Sequence, residues 1–151
     1  MVQYQKPLPA ITTLNAPFWE GLKQRALVLQ RCDRCSRVWY PPGPLCPHCW
    51  SDKYTWASMC GRGRVNSWVV FHQAYYKSFE GEVPYNVAEV ELEEGPRLFT
   101  NLVDVRNEEI HAGMSVEIVF EEATEEITLA KFKRTARVST SAIKQGGGFE
   151  T

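Results

Sequence analysis

The residue types that make a self-sufficient enzyme are scarce in this chain. Histidine occurs three times in 151 residues, at 48, 72 and 111. No Gly-x-Ser-x-Gly elbow presents a serine nucleophile. Gly61-Arg62-Gly63 is too short for a dinucleotide fingerprint and opens a strand pattern, not a helix. The glutamate pairs at 93–94, 108–109, 121–122 and 125–126 are sequence neighbours. Neighbours on a strand face opposite ways, so such pairs read as solvated turns and not as a working acid and base. Charge of one sign is missing too. The formal net charge is −1, which excludes the basic footprint of a general nucleic-acid binder. Apolar runs long enough to span a bilayer are absent, and so is a charged-then-apolar leader. Together with unpaired thiols, these absences set the expectation of a cytoplasmic protein that binds or scaffolds, with no membrane and no nucleic acid among its partners.

What is present is cysteine in a particular order. Cys32 and Cys35 form one Cys-x-x-Cys pair, Cys46 and Cys49 a second, with ten residues between. Each pair offers two thiolates from one tight turn, and two turns make a tetrahedral sulfur cage of the kind zinc favours. Four thiolates leave no position for water, so the predicted site is closed and structural. A single iron, a redox dithiol and two disulfides are the rival readings. A redox pair usually comes singly, near a βαβ pattern, and disulfides suit an exported chain. His48 reads as a solvent-facing turn residue rather than a ligand. Cys60, left over, reads as a small half-buried side chain.

The chain divides on pattern into four stretches. Residues 1–14 carry Pro7 and Pro9 and read as an extended arm, disordered or laid along a partner. Residues 15–58 hold a helix and the metal ribbon. Asn15 or Ala16 caps the helix, Pro17 suits its first turn, and Phe18, Leu22 and Ala26 share a face. Leu27 to Arg31 alternate as a strand leading into the first turn. Trp39, Tyr40 and Trp50 are expected to cover the sulfurs, either as a minicore or as a docking surface. Residues 59–137 alternate with period two in five segments, at 65–71, 86–92, 98–105, 116–121 and 127–134. Five short strands in about 70 residues fit a partly open barrel of the OB type. The fold expected is mainly β: an N-terminal helix, a rubredoxin-like zinc ribbon and a five-stranded OB-fold barrel. Residues 138–151, rich in Ser, Thr, Lys and Gly, are expected to be disordered.

Two further groups invite a ligand reading. Arg62 and Arg64 precede the first barrel strand, and Lys131 and Lys133 flank Phe132 on the last. Such a set suits the phosphates of a nucleotide-like ligand such as coenzyme A, or equally an edge strand guarded by lysine. Tyr75, Tyr76 and Phe79 sit on the longest connection, where binding residues collect, and His72 ends the strand before it.

The joint order of motifs is more specific. Pro17-Phe18-Trp19-Glu20-Gly21-Leu22, Leu29-Gln30-Arg31-Cys32 with Cys35, Tyr40-Pro41-Pro42 and Cys46-Pro47-His48-Cys49 resemble the family known as domain of unknown function thirty-five. Gly61-Arg62-Gly63, the run Val90 to Leu98, Asn101-Leu102-Val103, Gly113-Met114 and Val116 continue the resemblance, which ends at Phe132. It implies a zinc ribbon preceded by a helix and followed by an OB-fold barrel. It also implies a non-catalytic accessory subunit of a thiolase-superfamily enzyme, acting in acyl-CoA thiolysis, aldol cleavage or the reverse. One structural zinc and a shared coenzyme A thioester would be its ligands. Arg62, Arg64, His72, Tyr75, Tyr76, Lys131, Phe132 and Lys133 would face the acyl-CoA. Phe18, Trp19, Leu22, Trp39 and Tyr40 would dock the thiolase-like subunit in a hetero-oligomer. An acyl-CoA hydratase subunit, a stand-alone acyl-CoA carrier and a nucleic-acid-binding OB module are the alternatives.

Overall fold

The structure is a computed structural model that describes residues 3–136. The tail expected from residue 138 lies outside the described residues, as does the last residue of the barrel stretch. No helix among the described residues is long and apolar enough to cross a membrane.

Helix α1 spans Ala16–Lys23, with Asn15 at its N-cap and proline in its first turn, where the missing N–H costs nothing. Phe18, Gly21 and Leu22 are its buried positions. Ala26 lies beyond the helix end. Arg25, at φ 60, turns the chain sharply into the strand that follows. That strand, β1 (Val28–Cys32), is the centre of a three-stranded antiparallel sheet between β2 (Val38–Trp39) and β3 (Tyr54–Ser58). Leu27 and Leu29 are buried as the alternation predicts, but the pattern breaks after them: Gln30 is buried and Arg31 exposed.

The barrel follows as β4 (Arg62–Phe71), β5 (Tyr85–Leu92), β6 (Arg97–Thr100), β7 (Leu102–Val103), β8 (Ser115–Glu122) and β9 (Thr128–Arg134). The strand order is β6-β5-β4-β8-β9-β7. The strand expected over 98–105 is one path in two pieces. β6 pairs with β5, the chain bends at Asn101, and β7 pairs parallel with β9. That bend joins the two ends of the sheet and closes it into an OB barrel.

Asn86 fastens the bend. Its side chain is buried, accepts from Leu102 N–H at 2.6 Å and donates to the Leu102 carbonyl at 2.9 Å and to Asn107 Oδ1 at 3.1 Å. Asn101 returns a bond to the Asn86 carbonyl. An amide on a core-facing position thus supplies the donors and acceptors that the broken strand lacks.

The first barrel strand departs from its pattern. Val65, Ser67, Val69 and Phe71 were expected to share one face. A bulge between Val65 and Ser67 shifts the register, so Gly63 and Val65 point inward before it and Trp68 and Val70 after it. Pairing of Trp68 with buried Ala88, and of Val70 with buried Asn86, fixes that reversal. At Gly63 the backbone of β5 comes so close that a Cβ would collide with the Glu91 carbonyl. The Gly61-Arg62-Gly63 run therefore serves strand packing.

The ribbon and the barrel share one core. Phe18, Leu22, Leu27, Leu29 and Val38 lie in the same buried cluster as Val65, Val90, Val116 and Phe132. Met59 N–H bonds the Leu27 carbonyl at 2.7 Å, tying the junction to the helix exit. The arm is anchored on the barrel through Lys6. Lys6 pairs with Glu82 and lies 5.2 Å above the Phe79 ring, holding the arm against the barrel's longest loop.

Removing the Asn86 clasp is expected to open the barrel seam. Asn86→Ala strands the buried Leu102 N–H and should cost about 3 kcal/mol of unfolding free energy. Urea unfolding followed by tryptophan fluorescence measures this, and a loss below about 1 kcal/mol would refute the clasp.

Candidate metal centre and ligand surfaces

The four paired cysteines converge. Their sulfurs all lie within 4.8 Å of one another. Cys32 Sγ is 3.5 Å from Cys49 Sγ, and Cys35 Sγ is 3.7 Å from Cys46 Sγ. A tetrahedral zinc at about 2.3 Å from each sulfur sets sulfur–sulfur edges near ~3.8 Å, so the donor set fits the ion. No disulfide joins these residues.

The two turns are built alike. In the first, Ser36 N–H bonds the Cys32 carbonyl at 3.0 Å, with Ser36 at φ 65. In the second, Trp50 N–H bonds the Cys46 carbonyl at 2.8 Å, with Trp50 at φ 63. Each turn ends on a left-handed residue directly after its second cysteine. Backbone N–H groups of Cys35 and Arg34 point at Cys32 Sγ, each at 3.4 Å. These bonds, that from Cys35 first, hold the Cys32 thiol down at about 6 against the desolvation of its site. Cys49 is pushed up to about 11: Ser51 N–H lowers it, but desolvation and the three neighbouring cysteines outweigh that. One proton thus leaves the metal-free cage easily and another is retained, until a divalent cation offsets the crowding of thiolates.

The loop between the turns is clamped from inside. Gln30 is almost wholly buried, donates to the Gly43 carbonyl at 2.9 Å and accepts from Gly43 N–H at 2.8 Å. A run of prolines has few donors of its own, and this amide supplies the missing pair.

Trp39 packs in the cluster of Cys32 and Cys46, edge-on to Tyr54 at 5.6 Å. Tyr40 packs instead on Phe18, 5.6 Å away. Trp50, expected over the sulfurs, is 74% exposed, because the left-handed turn swings it out to solvent. His48 lies 3.2 Å from Arg37 Nη1, on the exposed side of its turn. Phe18, Leu22 and Trp39 are core residues, which corrects their reading as a docking surface. Trp19 and Tyr40 are partly covered.

The ligand set read from sequence does not come together. Arg62 and Arg64 line a cleft of about 640 Å³ with Asn66, Gly113 and Thr135. His72, Tyr75 and Tyr76 are exposed beyond the far end of β4, about 30 Å along an extended strand from Arg62. Lys131 lines a different cavity of about 480 Å³ with Tyr4, Lys6 and Phe79. It bonds Asn101 Oδ1, and burial pulls its ammonium below the ordinary lysine range. Lys133 pairs with Glu117 at 3.6 Å. Phe132 is fully buried in the barrel core and touches no ligand surface. Cys60 is exposed, contrary to expectation, with its sulfur 3.3 Å from Glu94 and 3.4 Å from Glu93. Partial desolvation and these carboxylates push its thiol up, so it makes a poor nucleophile.

Comparison with known proteins matches both halves. Two family profiles cover the chain: "ChsH2, rubredoxin-like zinc ribbon domain" over residues 19–55 and "ChsH2, C-terminal OB-fold domain" over residues 56–121. A "DUF35 domain-containing scaffold protein" of Methanocaldococcus jannaschii is 36% identical over 110 residues, 72% of this chain and 77% of that one. A "probable enoyl-CoA hydratase alpha subunit" of Thermomonospora curvata is 45% identical over 128 residues, 85% of this chain. The chain spans only 40% of that relative's length. Among solved structures, a chain of "Ltp2-ChsH2(DUF35) aldolase" superimposes with a TM-score of 0.76 at 45% identity, covering 84% of this chain and 98% of that one.

Cys46→Ser is expected to drop bound zinc from one ion per chain to below about 0.2 and to melt the ribbon, while His48→Ala keeps the full ion. Metal analysis by plasma mass spectrometry checks both, and a zinc-replete C46S variant would contradict the cage. In the metal-free cage the lowered Cys32 value contributes stability that is lost as pH falls through about 6, while the raised Cys49 value contributes stability that is lost as pH rises through about 11. Trp50→Gly should stabilise the ribbon by about 1 kcal/mol, since glycine adopts φ > 0 without strain, and a lower unfolding temperature would refute this.

Proposed function

The chain belongs to the DUF35 family of zinc-ribbon and OB-fold proteins, and from that premise we propose that it is a non-catalytic subunit of an acyl-CoA carbon–carbon bond enzyme. The observation that carries this reading is the likeness, at 45% identity over 98% of its length, to the chain named within an aldolase complex. The partner would be a thiolase-superfamily subunit that supplies the nucleophile and the acid–base groups. This chain, in the cytoplasm, would supply a rigid wall. Zinc, when bound, fixes the two cysteine turns and performs no chemistry on the substrate, because four thiolates leave it no open position.

The wall has a place for coenzyme A. Arg62 and Arg64 project from β4 into the 640 Å³ cleft, and Arg62 is already held by Glu93 at 3.2 Å. Arg64 makes no salt bridge among the described residues and is the guanidinium available to a phosphate. A second reading, a hydratase subunit, has support from the names of the relatives in Thermomonospora curvata and Mycobacterium tuberculosis, at 45% and 34% identity. Both readings place the reacting groups on another chain.

Affinity purification from the native organism decides between them through the co-purifying catalytic subunit. The isolated chain is expected to turn over no acyl-CoA, and turnover by the chain alone would refute the proposal. In the assembled complex, Arg64→Ala should raise KM for the acyl-CoA about fivefold and leave kcat within about twofold. An unchanged KM would remove coenzyme A from this cleft.

A further inference from the structure

Two cavities meet on the outer face of β9. The larger, of about 480 Å³, lies against the N-terminal arm and is walled by Tyr4, Lys6, Glu82 and Glu121. The smaller, of about 190 Å³, lies against α1 and is walled by Phe18, Trp19, Tyr40 and Phe99. Asn101, Leu129 and Lys131 line both. Strand alternation explains this placement. Phe132 takes the barrel interior, so Leu129 and Lys131 face outward, between the arm and the helix. Neither cavity shares a lining residue with the cleft of Arg62 and Arg64.

The charges of this crevice do not balance at its driest wall. Lys6 is paired with Glu82. Glu121 is exposed, and water screens its charge. Lys131 is half-buried and makes no salt bridge among the described residues. Its ammonium donates to Asn101 Oδ1, a neutral acceptor, and has two further protons to give. Burial pulls its pKa down, and the more distant Glu121 offsets only part of that. A desolvated ammonium without a counter-ion favours an anion in the space beside it. Tyr4 is a second donor on the same wall, and burial raises its pKa, which keeps the hydroxyl protonated. The adjoining slot is opposite in character. Phe18 stands edge-on to Trp19 at 5.0 Å and tilted to Tyr40 at 5.6 Å. Phe99, 73% exposed, leaves its mouth open to solvent. A cation beside an aromatic slot, in spaces of this size, has the make-up of a small-molecule site.

We propose that the Lys131 crevice binds a small organic carboxylate with an apolar body, its carboxylate on the Lys131 ammonium and its chain or ring in the slot between Trp19 and Phe99. Other ligands fit less well. A phosphate dianion has no apolar body and brings a second negative charge toward Glu121. A neutral apolar molecule fills the slot but leaves the ammonium unpaired. This site is separate from the coenzyme A cleft and does not rest on the subunit reading, because it is complete within one chain.

The test is titration of the full zinc-loaded chain with 3-phenylpropionate, followed by calorimetry and by tryptophan fluorescence. A dissociation constant on the order of 1 mM is expected for a ligand of this size. The amide 3-phenylpropanamide, of the same shape but uncharged, should bind at least about tenfold more weakly. Inorganic phosphate should not displace the acid. Lys131→Met should weaken acid binding about tenfold and bind acid and amide alike. It should keep its unfolding temperature, since methionine has no charge to desolvate. Lys133→Met, two residues on and paired with Glu117, should bind like wild type. Should K131M fail to fold, the acid and amide compared on the wild-type chain decide alone. Acid and amide binding equally to wild type, no binding of the acid, displacement by phosphate, or an equal loss in K133M overturns the carboxylate site. Each of these outcomes leaves the coenzyme A cleft and the subunit reading standing.

Discussion

The sulfur cage is the constraint on which the N-terminal half of this protein depends. About forty residues with a three-stranded sheet and one short helix have little apolar surface to bury. The cage ties the end of β1 to the loop before β3 and so fixes both neighbours of the central strand. From β1 the order passes outward. Leu27 and Leu29 enter the common core, Gln30 locks the proline loop, and Met59 hands the chain to the barrel. The order set at the four cysteines thus reaches the contact of the barrel with the helix.

The barrel meets a different demand, that of closing a sheet whose third strand cannot bend smoothly. Its solution is polar. Asn86 sits where an apolar residue would ordinarily fill the core, and it satisfies backbone groups that the break at Asn101 frees. At the opposite seam the β4 bulge lets the β4–β5 ribbon diverge from β8. Closure on one side and divergence on the other give the barrel a packed body and, from Asn66 to Phe71, a stretch of β4 with a neighbouring strand on one side only among the described residues.

These features suit a partner to a catalyst more than a catalyst. The cage has no open coordination position, the one other thiol is pushed up by desolvation and by the glutamates beside it, and His48, His72 and His111 are exposed at separate places. What the surface offers is a cleft with a free guanidinium, an aromatic loop and an apolar ribbon. Such groups bind, orient and exclude water. Chemistry done beside them needs groups from elsewhere.

Much of this was legible in the chain itself. Cysteine spacing announces the cage because a four-sulfur site is a local event: two turns, each closed within five residues. Period-two alternation announces the barrel because burial of one strand face is written residue by residue. Misreadings arose where a long-range contact governs. Phe132 looks like a ligand residue between two lysines, yet the barrel interior takes it. Phe18 and Leu22 look like a docking face until ribbon and barrel are seen to share one core, and Trp39 until it is seen to pack with Cys32 and Cys46. Trp50 looks like a lid over the sulfurs, but the left-handed turn that shapes the cage turns it outward. Asn86 and Gln30 read from sequence as ordinary strand positions, because their partners, at Leu102 and Gly43, are set by how strands meet. The sequence by itself determined the metal donors and the β pattern, since each is carried by neighbours along the chain. Only the tertiary structure decided which aromatics are core, which arginine is free and which edge is open, because those follow from one bulge and one bend in how distant strands pair.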